Sequence, residues 1–277
     1  MEGLIKKRHL LILFFLPIFL FPLHALAKCQ YVVVKRVVDG DTFLTKSGQR
    51  VRLLGVDTPE SVINSRPVQW FGKQAYWWLS ERLTGKRVCL ERDPNRAVNL
   101  DKYGRLLRYV WLGKSFLNRE IIAEGIGRFY HREPLQYDGE FRRLQFKAIK
   151  QGKGIWDINA HRSWLKQKIE RLKLLSSCGS NGYLCPWDAK DYIGKKIRVM
   201  LYVNKTHDAG SKFLLNSEVD YRAWDNLTVV VYKGRHSSVE LDRKFWGHLI
   251  EVRGTVRLYK DRAEIVVKNP DEIRVIK

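Results

Sequence analysis

Three acidic residues, Asp41, Asp57 and Glu60, bracket an arginine, Arg52, inside one stretch that reads V-D-G-D-T-F-L-T-K-S-G-Q-R-V-R-L-L-G-V-D-T-P-E from Val38 to Glu60. Two strand-like runs here flank a turn at Ser47-Gly48, and a tighter Asp39-Gly40 turn precedes them. A hairpin that runs out and back brings its ends together, so Asp41 and Asp57 are predicted to be neighbours in space. Carboxylates converging in this way form an oxygen-lined site for a hard divalent cation. Calcium suits flexible carboxylate and carbonyl ligands, whereas magnesium demands stricter octahedral geometry and more water. Asp39 is expected to shape the turn rather than to bind metal.

Read alone, Asp57-Thr58-Pro59-Glu60 is also a helix start, with Asp at the cap, Pro just inside and Glu three positions on. A second charged turn, Asp101-Lys102-Tyr103-Gly104-Arg105, leads into an apolar run from Leu106 to Leu112 and offers another guanidinium. Together these groups suit phosphodiester hydrolysis, which needs a nucleophile, neutralisation of a highly charged transition state and alignment. A cation at Asp41 and Asp57 gives Lewis-acid help. Glu60, one turn after Asp57, is placed to orient or deprotonate water. Arg52 and Arg105 approach from two strands with forks that match phosphate oxygens.

The elements that must position these groups are legible in the pattern. Strands are predicted at 31–38, 42–46, 50–56, 87–92 and 105–112, with a helix over 69–83 between the third and fourth. That is the order of the OB-fold, a five-stranded Greek-key barrel. Two amphipathic helices follow. Residues 115–124 turn Phe116, Ile121 and Ile122 to one side, and 138–150 turn Phe141, Leu144, Phe146 and Ile149 inward. The aromatics of the first helix (Trp70, Phe71, Tyr76, Trp77, Trp78) read as packing residues. Residues 159–177 form a connecting helix, with Trp164, Leu165, Ile169, Leu172 and Leu175 at helical spacing against one or both domains. From Trp187 the strand order recurs at 196–204, 212–217, 227–233, 248–257 and 262–268, with a helix at 238–246. The fold class is mainly β with helices (α+β): one barrel, a linking helix and a second barrel.

The order and spacing of V-D-G-D-T (38–42), R-L-L-G-V-D-T-P-E (52–60), F-G-K-Q-A (71–75), D-K-Y-G-R (101–105) and N-R-E-I-I-A-E-G-I-G (118–127) resemble the staphylococcal nuclease (thermonuclease) family over residues 31–157. The resemblance implies calcium held by Asp41, Asp57 and the backbone carbonyl of Thr58. It makes Glu60 the residue acting on the attacking water and Arg52 and Arg105 the phosphate-binding arginines. Lys102 and Tyr103 match positions that contact nucleotide phosphates, and Tyr130 is the best match for a base-stacking tyrosine. The family cuts DNA and RNA with little sequence demand and leaves 3′-phosphate ends. Gln74 departs from the family's usual glutamate, away from the chemistry. The strands after Trp187 are similar, more loosely, to bacterial OB-fold nucleic-acid-binding domains. Tyr202, Phe213, Tyr221 and Trp224 are its candidate stacking surfaces.

Composition sets the surroundings. The 277 residues carry a formal charge of +22, which calls for an anionic partner: nucleic acid, anionic lipid or acidic polysaccharide. Most of that excess lies before residue 187. Lys6, Lys7 and Arg8, an apolar run from Leu10 to Leu23 and Ala25-Leu26-Ala27 form a signal peptide over 1–27, with an uncleaved anchor as the alternative. The expected destination is the periplasm or the extracellular medium. The four cysteines do not have zinc-module spacing, and in an oxidising compartment they allow three pairings. The short loop between Cys178 and Cys185 favours that pair, leaving Cys29 with Cys89 on neighbouring strands. The expected domains are 28–158 (catalytic), 159–186 (linker helix and cysteine loop) and 187–277 (nucleic-acid binding). The rival reading is an exported protein that binds nucleic acid without cutting it. No protein partner is evident.

Overall fold

The computed structural model describes residues 29–61, 68–131, 133–180 and 182–276. The predicted signal segment and its cleavage point lie outside the described residues, among which no helix is long and apolar enough to cross a membrane.

Alternating apolar residues build the first barrel. Strands β1 (Gln30–Asp39), β2 (Thr42–Thr45) and β3 (Arg50–Leu53) form an antiparallel meander that buries Val34, Val37, Phe43, Val51 and Leu53. A two-residue β4 (Val56–Asp57) follows, then helix α1 (Gly72–Leu83). Next come β5 (Arg87–Glu91), which pairs with β1, and β6 (Leu106–Leu112), antiparallel to β5. Parallel pairing of β3 with β6, Val51 opposite Leu106, closes the barrel. Helix α1 starts later than the pattern predicts because Phe71 takes a left-handed conformation (φ 68°).

The predicted helix over 115–124 is shorter. Ser115–Phe116 is a strand, β7, folded back on β6 so that Phe116 stacks on Trp111 at 4.3 Å. Helix α2 (Leu117–Ala123) starts only after it and buries Ile121 and Ile122. Strand β8 (Arg128–Phe129) pairs with β4, and helix α3 (Asp138–Lys150) covers the barrel. Its inward face is Phe141, Leu144 and Ala148; Phe146 and Ile149, expected inward, are exposed. At 100° per residue Phe146 lies far round the helix from Phe141, so the buried stripe cannot include both.

Helix α4 (Ile158–Leu175) is capped by the Asp157 carboxylate, which accepts from the Ala160 N–H. Its contacts run through Trp164, packed beside Trp70, and Arg171, which donates to the Gly247 carbonyl at 2.8 Å. Leu165, Ile169 and Leu172, expected to pack, are exposed instead, because Trp164, Arg171 and Leu175 occupy the side facing the barrels.

The second barrel repeats the first. Strands β9 (Lys196–Tyr202) and β10 (Lys205–Ala209) act as two halves of one strand, followed by β11 (Lys212–Asn216) and β12 (Leu227–Tyr232). Helix α5 (Ser238–Phe245), β13 (Leu249–Tyr259), β14 (Arg262–Val267) and a short β15 (Arg274–Val275) complete it. Parallel pairing of β12 with β14 and antiparallel pairing of β13 with β9 close the sheet around Val199, Leu215, Val229, Phe245 and Ile265. Disulfides join Cys29 to Cys89 and Cys178 to Cys185, with Cα separations of 5.5 and 5.2 Å.

Candidate active site

The β1–β2 turn and the β3–β4 segment meet as the hairpin predicts. Arg52 stands between the two aspartates: its Nη1 donates to Asp41 Oδ1 at 2.7 Å and its Nη2 to Asp57 Oδ1 at 2.9 Å. Asp41 is almost fully buried and accepts from the Thr42 hydroxyl at 2.7 Å and the Thr58 N–H at 3.3 Å. The carboxylates therefore lie within reach of one guanidinium, which fixes their separation.

The electrostatics of this corner are unbalanced. Burial pushes the Asp41 carboxyl up from its ordinary range, against the lowering effect of Arg52. Glu60 is raised to about 8, first by its hydrogen bond to the Asp39 carboxyl, then by burial and by the charges of Asp39 and Asp41. Asp39 holds the turn itself: its Oδ1 accepts from the Gly40 N–H, the Ser61 N–H and the Ser61 hydroxyl at 2.8, 3.0 and 2.6 Å. The Thr58 hydroxyl is buried with no hydrogen-bond partner. Excess buried carboxylate, an all-oxygen donor set and an unpartnered hydroxyl fit a hard cation. Among the described residues no three His, Cys, Asp or Glu side chains form a metal cage, so the candidate set is two carboxylates and a carbonyl, with positions left for water and substrate.

Arg105 is reached by register. It immediately precedes β6, and Arg52 lies opposite Leu107 in the parallel ladder, so Arg105 falls two residues along on the same face. Its Nε donates to Asp101 Oδ2 at 2.6 Å, which anchors the D-K-Y-G-R turn. The exposed Tyr103 ring lies beside the Lys102 ammonium (5.0 Å) and the Arg105 guanidinium (5.3 Å), so the three form one ledge. Tyr130 follows β8, exposed, its N–H donating to the Gly55 carbonyl at 3.2 Å.

Two residues at the site escaped the sequence reading. Arg128 grips the second oxygen of Asp57 through Nε (3.0 Å) and Nη2 (2.9 Å), brought there by the β4–β8 pairing that sets it opposite Asp57. Gln69 clamps the Glu60 backbone, its Oε1 accepting from the Glu60 N–H (2.9 Å) and its own N–H donating to the Glu60 carbonyl (3.2 Å). A basic residue straight after G-I-G was the only available hint of Arg128; nothing local marked Gln69.

In the second barrel Tyr202 and Phe213 are buried, which corrects their candidacy as stacking surfaces: Phe213 points into the barrel core, and Tyr202, on the opposite face of its strand from Leu201 and Val203, is covered in a small cluster with Met200, Leu249 and Leu175. Tyr221 and Trp224 are exposed, Trp224 by 79%.

Residues 50–158 match the family model described as staphylococcal nuclease homologue. The chain is 42% identical over 131 residues to the thermonuclease of Staphylococcus hyicus, covering 46% of this chain and 76% of that one. It is 44% identical over 129 residues to the thermonuclease of Staphylococcus intermedius, covering 45% and 75%. It is 28% identical over 163 residues to a probable endonuclease of Clavispora lusitaniae, covering 47% and 68%. The segment 50–158 holds Arg52, Asp57, Glu60 and the Lys102–Tyr103–Arg105 ledge, with Asp41 on the strand just before it, and the chain belongs to the staphylococcal nuclease homologue family as a hydrolase of the nuclease class.

Proposed function

We propose that the first barrel, residues 28–158, is a calcium-dependent nuclease that hydrolyses the phosphodiester bonds of DNA and RNA, leaving 3′-phosphate ends, and that the protein is exported to the periplasm or beyond. The observation that carries this reading is Arg52 bridging Asp41 and Asp57 with Glu60 alongside. Asp41, Asp57 and the Thr58 carbonyl hold the cation, which when bound supplies Lewis-acid charge to phosphate and water.

The chain's own residues do the rest. Glu60, in its ionised form, orients the attacking water and takes its proton, a role that suits a carboxylate clamped through its backbone by Gln69. Arg52 and Arg105 bind the non-bridging phosphate oxygens as negative charge grows on them; the water oxygen bonds to phosphorus, the P–O5′ bond breaks, and the departing O5′ takes up a proton from solvent to leave as a hydroxyl. Lys102 and Tyr103 guide the flanking phosphate, and Tyr130 stacks on a base. Residues 159–186 connect to a second barrel, 187–277, that holds single strands through Tyr221 and Trp224. Lys205, Arg222 and Arg262 surround the Tyr221 ring at 5.9, 5.4 and 5.2 Å, as a basic and aromatic platform requires.

Glu60→Gln tests the assignment. Calcium binding by calorimetry is expected to survive while kcat falls about 10²–10³-fold, the scale of one lost transition-state group. Unchanged kcat would turn the site into a structural metal site and favour the binding protein that does not cut.

A further inference from the structure

Helix α1 has two working sides, and they face different domains. One side is the back wall of the candidate active site. A Cβ added at Gly72 would lie 2.3 Å from the Glu60 carbonyl oxygen, and one added at Gly40 would lie 2.6 Å from the Ala75 Cβ and from Thr58 Oγ1. Gly72 and Ala75, three apart on the helix, thus support both the Glu60 backbone and the turn that carries Asp41. The Gly72 N–H also donates at 3.0 Å to the carbonyl of Gln69, the residue that clamps Glu60.

The other side carries Lys73 and Trp77, four apart, and both end on one carboxylate of the second barrel. Lys73 Nζ lies 3.2 and 3.0 Å from the two oxygens of Asp242 on α5, and Trp77 Nε1 donates to Asp242 Oδ2 at 2.7 Å. The Thr206 hydroxyl, from β10, donates to Asp242 Oδ1. Lys73 and Asp242 are 6% and 3% exposed. Around this pair Trp246 meets Trp77 edge to face at 6.3 Å and lies 5.7 Å from the Lys73 ammonium, while Arg243 pairs with Glu81 at 2.8 Å. A dry, fully hydrogen-bonded ion pair tolerates little displacement, because moving either partner strands a charge away from water. The carboxylate is therefore a fixed point against which α1 is set.

We propose that the second barrel is a clamp on the catalytic loop of the first: Asp242, through Lys73 and Trp77, holds α1 in the position that places Glu60. Asp242 is a positioning residue and touches neither substrate nor metal. The inference rests on the nuclease reading of Glu60, and it gives the second barrel a role in turnover that is separate from holding substrate.

The test uses the full chain and two readouts. Amide hydrogen exchange at Glu60 and Gln69 is measured without substrate, and kcat and KM are measured on a tetranucleotide at saturating calcium. Asp242→Asn is expected to speed exchange at Glu60 about tenfold and to lower kcat about tenfold with KM unchanged. Lys73→Gln in the same chain is expected to restore both, because a neutral amide pair replaces the stranded ammonium. If Asp242→Asn fails to fold, Trp77→Phe, which removes a single donor, is read in the same way with smaller shifts. Exchange and kcat both at wild-type values in a folded variant would overturn the proposal, as would a rise in KM alone. Exchange needs no activity, so an inactive wild-type chain would sink the nuclease reading while leaving the clamp testable.

Discussion

The two barrels share one topology and differ at the position where chemistry sits. In the first, Asp39 pairs with Thr42 across the turn Gly40-Asp41, and Thr42 pairs with Arg52. In the second, Ala209 pairs with Lys212 across Gly210-Ser211, and Lys212 pairs with Tyr232. By register, Ser211 stands where the first barrel has Asp41, and Tyr232 where it has Arg52. The same hairpin thus supports a charged corner in one copy and an ordinary surface in the other, so the fold sets geometry and the side chains set function.

The carboxylates of the two barrels also sit in opposite fields. Asp41 and Glu60 are raised, burial dominating for one and the Asp39 hydrogen bond for the other. Glu251 on β13 is lowered to about 2, first by its hydrogen bonds from Arg198, with Arg253 and Arg274 adding to the effect. Three guanidinium groups around one carboxylate leave nothing for a ligand to neutralise. A group held above its ordinary pKa is poised to accept a cation, and one held far below it is structural.

The largest expected effect separates the barrels directly. Arg52→Ala should lower kcat about 10²–10³-fold, the scale of a lost oxyanion donor, whereas Tyr232→Ala at the register-equivalent position should leave kcat near wild type. Comparable losses from the two would erase the contrast. A smaller effect concerns affinity. Trp224→Ala should raise KM for long single strands about tenfold, as loss of one stacked base predicts, and leave kcat on a tetranucleotide unaltered.

The smallest effect is on stability, and its sign differs between the barrels. Without metal, Glu60 stabilises the protein below its ordinary value of 4.5, and that contribution is lost as pH rises through about 8. Glu251 does the reverse: its contribution is present above 4.5 and is lost as pH falls towards about 2. Melting scans of Glu60→Gln should show a gain of a few degrees over the metal-free parent at pH 9. Those of Glu251→Gln should show a loss of a few degrees at pH 7 that vanishes near pH 2, both discounted for solvent screening. The same slope in both variants would contradict the contrast.

Much of the site was legible because its central contacts are local. The Asp41–Arg52 and Arg52–Asp57 bonds span only 11 and 5 residues, and hairpin alternation carries that far. Arg128 meets Asp57 across 71 residues through a two-residue strand pair too short to leave a pattern. The Lys73–Asp242 contact spans 169 residues and joins the two barrels, and each residue taken alone reads as an exposed helical charge. The barrels were legible in strand order, and the errors fell where one apolar residue was assigned a face. Phe146 and Leu165 satisfied a hydrophobic period and stayed outside, because other residues on their helices already filled the contact.

As proposed, the Asp41–Arg52–Asp57 corner cuts nucleic acid with a bound cation. The most direct measurement is the cleavage of end-labelled single- and double-stranded DNA by the full chain in calcium and in EGTA, with the product ends identified. Rapid cutting in calcium with 3′-phosphate ends is expected, and no cutting in EGTA. Cutting of equal rate in EGTA, or no cutting in calcium, would contradict the proposal.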